Sequence, residues 1–337
     1  MRAPVPRILS THALHPQARE RLEALGELVV ADRTTPERLR ELAADASFVI
    51  VRAPLPDDLF EWAPRMLGAV RHGAGVDMIP IAQATRHGVL VANVPGVNAT
   101  SVAEYVAGAM VMLAHRLRAA ERDLRDPAAG WTVARSHAES AAELAGRTVG
   151  IVGFGNVGRA VATICRHGFG MAVLASARRA EAADGLTVRV ELDALLEASD
   201  FVVLAVPLTE GTRGLIDASR LARMRRGAFL VNVSRGAVVD APALVTALRE
   251  GHLGGAALDV FASQPLPADD PLRALDNVLL TPHIAGITEP SMRRMGLGVA
   301  QAIGEMLAGR RPEHLVNPEA WSAFERRFAS LRRPGGR

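Results

Sequence analysis

Gly153, Gly155 and Gly158 form a G-x-G-x-x-G run directly after the apolar stretch TVGIV and ahead of the helical pattern RAVATICRHGF. In a strand-turn-helix setting this spacing suits a dinucleotide. The first glycine permits the tight turn, the second lets the backbone approach the pyrophosphate, and the third lets helix and strand pack closely. Asn156 and Val157 complete the loop at a helix N-terminus whose free N–H groups face the anion. An NAD site places an acid about 20 residues further on, at the end of the second strand. Here MAVLASARR has Ala177 at that point, followed by Arg178 and Arg179, whose guanidinium groups can fork onto a 2′-phosphate. NADP is the expected cofactor and NAD the poorer fit.

The second group of chemistry-bearing residues comes later in the chain. Arg235, in VNVSRGAVVD, stands at a strand-to-loop junction, where open α/β sheets bind ligands and an arginine can clamp a carboxylate. ALDVFASQP and LLTPHIAG place Asp259, Gln264 and His283 near the ends of later strands. His283 is the one histidine in a strand-end loop of this half and is the natural proton donor and acceptor. The sequence contains no lysine, which excludes Schiff-base chemistry, a phosphate-loop lysine and a Tyr-Lys pair, and Tyr105 is its single tyrosine. The lone Cys165 lies in an apolar helical pattern and is read as packing. No metal site is expected.

The elements that must hold these residues are repeated β-α units. From Arg7 to Val91 short apolar runs alternate with helix-like stretches, implying a parallel sheet. Asn98 or Thr100 can cap a long apolar helix, SVAEYVAGAMVMLAHRLRAAERDL, read as one connector that breaks at Asp126-Pro127. The segment around Trp131 is poorer in periodicity and suits an excursion over a neighbouring subunit. From Thr148 the alternation resumes through six apolar runs, a doubly wound sheet with helices on both faces. The helix around MRRMGLGVAQAIGEMLAG suits a return to the first domain.

With 337 residues, 49% hydrophobic and 22% charged, the chain has the size of two packed domains. It shows no leader-like or membrane-spanning apolar run, so a cytoplasmic protein with no membrane partner is expected. A net charge of +3 is small for this length and argues against a nucleic-acid surface, and the basic tail from Arg326 to Arg337 reads as a solvated end.

GAGVD (Gly73 to Asp77), NVPGVNATSVAE (Asn93 to Glu104), GIVGFGNVG, LAVPLTEGTRGLI, VNVSRGAVVD, ALDVF and LLTPHIAG follow one another along the chain. In this order they resemble the D-isomer-specific 2-hydroxyacid dehydrogenase family over nearly the whole length, including glyoxylate/hydroxypyruvate reductases and short phosphoglycerate dehydrogenases. The resemblance implies an α/β protein of two Rossmann/flavodoxin-like domains. A dinucleotide-binding domain, 99–287, would be inserted into a discontinuous substrate domain, 1–98 plus 288–337, with hinges near Asn98 and Ile287, usually in a homodimer. It implies hydride transfer between nicotinamide and a small 2-keto or 2-hydroxy acid, with glyoxylate and hydroxypyruvate the leading substrates. Carried over by position, Arg235 would bind the substrate carboxylate and keto oxygen, and His283 would deliver the proton. The N–H groups of Ala74 and Gly75 would hold the carboxylate, with Arg52 near the substrate tail. Asp259 would hold the nicotinamide carboxamide, Ser234 would lie near that ring, and Val206 and Thr212 would line the adenosine and pyrophosphate path.

One position departs from the family's pattern. Gln264 stands where most members carry a glutamate that hydrogen-bonds the catalytic histidine. An amide can still orient His283 but lacks the charge that favours imidazolium, so keto-acid reduction should fall off earlier on the alkaline side. Formate dehydrogenases, which resemble this family, carry glutamine there, and Asn98 matches their substrate asparagine. Formate oxidation is therefore one alternative. A dinucleotide-sensing corepressor of the same fold is another, although the retained Arg235 and His283 favour an enzyme.

Overall fold

The computed structural model describes residues 5–177 and 187–332. The chain divides into two compact units, Met1–Asn98 with Glu289–Arg337, and Ala99–Thr288.

The first unit carries strands β1 (Arg7–Ser10), β2 (Glu27–Val30), β3 (Phe48–Val51), β4 (Gly68–Arg71) and β5 (Leu90–Ala92). All pair in parallel, in the order β2-β1-β3-β4-β5, which is the flavodoxin-like winding. The central β3, FVIV, is buried at every position, as a strand covered on both faces must be. Leu22, Val299, Ile303, Met306 and Phe324 fill one face, so the late helix Glu289–Leu307 returns to this sheet. Leu39, Leu59, Phe60 and Ala84 fill the other.

The second unit carries β6 (Thr148–Val152), β7 (Ala172–Ser176), β8 (Thr187–Arg189), β9 (Phe201–Leu204), β10 (Phe229–Asn232), β11 (Gly255–Leu258) and β12 (Val278–Leu280). They form one parallel sheet in the order β12-β11-β10-β9-β6-β7-β8. The order reverses between β6 and β9, the switch point at whose C-terminal edge such sheets bind nucleotides.

The connector is not one helix. Helix Ala99–Ala114 buries eight residues, among them Val102, Val106 and Met110, whereas the following helix Leu117–Arg125 buries none. Arg116 separates them at φ +53, a left-handed turn for a residue with a side chain. The apolar periodicity continues through the break, but only the first piece has a core to pack on.

Candidate active site

Two of the three glycines after β6 are required by the protein itself. Gly153 has φ +95, and a Cβ there would lie 2.6 Å from the Ala205 carbonyl oxygen and 2.8 Å from Val206 Cγ1. A Cβ on Gly158 would lie 2.2 Å from the Gly153 oxygen. Gly155 differs: its φ is −82 and nothing stands within 4 Å of its missing Cβ. The space left there opens beside the N-terminus of helix Asn156–Thr163, where Gly155 and Asn156 are exposed and Val157 is half-buried. This is the cradle a pyrophosphate needs, and the residues present fit a dinucleotide. Gly155→Ala should keep the melting temperature near that of the parent while weakening NADPH binding by about tenfold or more, because only the ligand loses room. Gly158→Ala should instead destabilise the fold. Fluorescence titration with thermal melts separates the two, and equal damage to both properties in Gly155→Ala would refute the reading.

Around this loop, Val206 follows β9 and packs against Gly153. Thr212 is used internally: its hydroxyl donates to the Pro207 carbonyl at 2.7 Å and accepts from the Thr209 N–H at 2.8 Å. Ala177 directly follows β7 and packs half-buried on the core, while Arg178 and Arg179 lie outside the described residues.

Arg235, Asp259 and His283 follow three adjacent parallel strands, β10, β11 and β12. Backbone hydrogen bonds lace their turns together, from the Asp259 N–H to the Asn232 carbonyl at 3.1 Å and from the His283 N–H to the Asp259 carbonyl at 2.8 Å. Asn232, 1% exposed, builds the arginine turn. Its Oδ1 accepts from the Ser234 N–H at 3.0 Å and hydroxyl at 2.8 Å, and its Nδ2 donates to the Arg235 carbonyl at 3.1 Å. The buried Ser234 thus spends its hydroxyl on Asn232. Arg235 is half-buried, with Nη1 donating to the Ser234 carbonyl at 2.7 Å. A Cβ on Gly236 would fall 2.0 Å from the Phe261 carbonyl carbon, so glycine is needed for this turn to abut the loop after β11.

His283 has φ +58, a conformation that costs a non-glycine residue about 1–3 kcal/mol and persists only where the surroundings over-determine it. Asp259 supplies much of that constraint. Its side chain lies in a residue only 2% exposed; Oδ1 accepts from the Thr281 hydroxyl at 2.7 Å and the Ile284 N–H at 2.8 Å, and Oδ2 from the Ala285 N–H at 2.9 Å. The resemblance implies that Asp259 holds a nicotinamide carboxamide; within the protein its partners stand on both sides of His283 in the chain. Gln264 is exposed, and its Nε2 lies 3.5 Å from the Phe261 carbonyl; no hydrogen bond joins it to His283 among those described.

In the first unit, the loop after β4 has its carbonyls drawn into the protein. Arg71 donates to the His72 carbonyl at 2.6 Å, the Gly75 carbonyl at 2.9 Å and the Val51 carbonyl at 2.9 Å. Val94 N–H takes the Gly73 carbonyl at 2.9 Å, and Asn93 Nδ2 takes that of Ala74 at 2.7 Å. With the carbonyls of residues 72–75 taken by protein donors, the N–H groups of Ala74 and Gly75 have no protein acceptor among the described bonds. Arg52 donates through Nη1 to the Ala13 carbonyl at 2.7 Å. Asn98 ends this unit, half-buried. Burial, then the charges of Arg52 and Arg71, push His72 down to about 3, and its Nε2 is buried without a hydrogen-bond partner. A histidine held neutral in the fold and titrating at 6.5 when unfolded contributes stability that is complete above 6.5 and lost as pH falls toward 3. Thermal unfolding should therefore show acid lability that His72→Gln reduces, by about 3 kcal/mol at pH 4; an unchanged profile would reject this assignment.

Residues 107–285 match the model of the D-isomer specific 2-hydroxyacid dehydrogenase NAD binding domain, more than half of the chain. The chain belongs to the D-isomer-specific 2-hydroxyacid dehydrogenase family. This dehydrogenase is 38% identical to a glyoxylate reductase of Korarchaeum cryptofilum over 93% of its own length and 96% of the relative's. It is 36% identical to a D-3-phosphoglycerate dehydrogenase of Methanocaldococcus jannaschii, covering 92% of this chain and 59% of that protein. Among solved structures, an NADPH-dependent glyoxylate/hydroxypyruvate reductase from Sinorhizobium meliloti, in complex with NADP and malonate, superposes with a TM-score of 0.82. It shares 29% identity over 94% of this chain and 97% of the other. The protein is thus an NAD(P)-dependent 2-hydroxyacid dehydrogenase acting on a CH–OH group, and the formate and corepressor alternatives are not favoured.

No helix of this dehydrogenase, among the described residues, is long and apolar enough to cross a membrane, and no cluster of three or more His, Cys, Asp or Glu residues among them could hold a metal. Sequence reasoning missed Asn232, Arg71 and Asn93, which shape the turns rather than carry the chemistry. Each lies inside or beside a motif: Asn232 in VNVSRG, Arg71 just before HGAG, and Asn93 at the head of NVPG.

Proposed function

We propose that this dehydrogenase reduces a small 2-keto acid of the glyoxylate or hydroxypyruvate class with NADPH. The observation that carries the reading is the laced set of turns after β10, β11 and β12, which brings an arginine and a conformationally fixed histidine to neighbouring strand ends of the dinucleotide-binding sheet. A bound nicotinamide dinucleotide supplies the hydride. Arg235 binds the substrate carboxylate and polarises the keto oxygen, and His283 holds the proton that this oxygen takes as it becomes a hydroxyl. The loop N–H groups of Ala74 and Gly75 are carboxylate donors, and Arg52 and Asn98 are further substrate contacts. Gly153, Gly155, Asn156, Val157, Gly158, Val206, Thr212, Ser234 and Asp259 hold the dinucleotide.

Preference for NADP is supported by Ala177 in place of an acid, by the two arginines that follow it, and by the NADP held in the Sinorhizobium meliloti relative. Assembly as a homodimer is supported by large apolar side chains exposed on the stretch 117–133, Leu117, Leu124, Trp131 and Val133, with Trp131 70% exposed. A cytoplasmic location is supported by the single cysteine, which is buried and whose thiol burial pushes up to about 12. The deciding experiment is dinucleotide oxidation over a panel of keto acids, run with NADPH and with NADH, beside NADP reduction by formate alone. Turnover of glyoxylate or hydroxypyruvate with the higher kcat/KM for NADPH is expected; formate-driven reduction without keto-acid turnover would overturn the reading.

Gln264 enters as the uncharged residue at the position where the family's pattern has a glutamate. A carboxylate there favours the imidazolium, so Gln264→Glu should move the alkaline limb of the reduction profile to higher pH, by about one unit for 1.4 kcal/mol of added interaction. An unmoved limb removes Gln264 from the catalytic set and leaves the backbone and Asp259 to orient His283.

A further inference from the structure

We infer that Tyr105 is a positioning residue for His283, acting through Thr281 and Asp259; the inference rests on the reading of His283 as the proton donor. Tyr105, on helix Ala99–Ala114, places its hydroxyl 2.6 Å from Thr281 Oγ1, and Thr281 Oγ1 lies 2.7 Å from Asp259 Oδ1. The direction of the chain is fixed by what each group can donate. An ionised carboxylate only accepts, so the single hydroxyl proton of Thr281 goes to Asp259, and the lone pairs of Thr281 must take the proton of Tyr105. The sequence of donors is Tyr105 to Thr281 to Asp259.

The end of that chain is the carboxylate that receives the Ile284 and Ala285 N–H groups. Thr281 stands two residues before His283, and Ile284 follows it directly. The histidine backbone sits in its left-handed conformation between two anchors on one buried side chain, and Tyr105 fixes the first anchor from another element. Thr281 directly follows β12 and is half-buried, and without a second partner its side chain is free to leave its rotamer. Burial pushes the tyrosine up to about 12 against the opposing effect of the Thr281 hydrogen bond, with the charge of Asp259 adding to the rise, so its proton stays in place at working pH.

The test uses the full-length protein and two readouts. Tyr105→Phe removes one oxygen and should lower kcat for keto-acid reduction about fivefold, the worth of one neutral hydrogen bond, with the KM values for keto acid and NADPH nearly unchanged. Thr281→Val, which also removes the bond to the carboxylate, should cost about 10- to 100-fold. Thr281→Ser, keeping the hydroxyl, should restore most of the rate. The double variant Tyr105→Phe/Thr281→Val should be no slower than Thr281→Val alone, because both act along one chain. Amide hydrogen exchange at Ile284 and Ala285, measured without cofactor, should accelerate by a similar factor in Tyr105→Phe.

An unchanged kcat and unchanged exchange in Tyr105→Phe would overturn the inference, as would losses that multiply in the double variant. A wild-type protein with no keto-acid turnover, but with exchange that responds as stated, would overturn the role of His283 and leave the tether of its loop established.

Discussion

Asparagine in place of His283 should lower kcat for keto-acid reduction by about 10²–10⁴-fold, the range in which a positioned general acid contributes. Asparagine is the informative choice because position 283 has φ +58, and asparagine tolerates that region better than other side chains that cannot donate a proton in acid–base exchange. The backbone bonds from residue 283 to Asp259 and Thr281 need no side chain and survive the change. The amide can still hydrogen-bond a keto oxygen, so the KM for substrate should move far less than kcat. The limb of the pH profile on which reduction fails for want of a proton should vanish with the imidazole, leaving a flat, low rate. Steady-state NADPH oxidation across pH measures both effects. A loss under about tenfold, with the limb intact, would place the proton donor elsewhere.

How much of this site could be read without coordinates depends on what each residue does. The strands were legible because parallel strands covered on both faces are near-continuous apolar runs, as FVIV and FVVL show. The helix break at Arg116 was not, since LAHRLRAAERDL keeps good helix formers throughout and only the loss of a packing partner ends the first helix. The glycine loop was legible as a pattern, but the pattern gives one explanation for three residues. Geometry separates them into two required by internal contacts and one, Gly155, whose missing side chain leaves open space. Asp259 marks a further limit: a motif places a carboxylate at a strand end but not the direction in which it turns. Here it accepts from Thr281, Ile284 and Ala285 around the histidine turn, contacts that no local signal in ALDVF announces. Gln264 was legible as a departure in charge, whereas its exposed amide near Phe261 depends on a loop path that no local signal encodes.

Arg235→Gln should lower kcat/KM for the keto acid by about 10³-fold, close to 4 kcal/mol of lost transition-state binding, and Arg235→Lys by an intermediate factor of about 10². The gap between the variants carries the argument. Lysine keeps the charge and therefore part of the attraction to a carboxylate, but it replaces a planar fork of donors by a point charge and cannot grip a carboxylate and an adjacent keto oxygen together. The fold orients the fork in advance: Nη1 rests on the Ser234 carbonyl, and buried Asn232 fixes the arginine's own carbonyl. Because charge builds on the keto oxygen only as the carbonyl is reduced, the loss should divide between KM, through the carboxylate, and kcat, through the oxygen. Dinucleotide affinity and melting temperature should stay near the parent values in both variants, which titration and thermal melts check. Guanidinium added to an Arg235→Ala variant should recover part of kcat with saturation, while the same salt leaves His283→Asn unimproved. If lysine serves as well as arginine, the site needs only a positive charge at the end of β10, and the two-point clamp on a 2-keto acid must be given up together with the substrate class it selects.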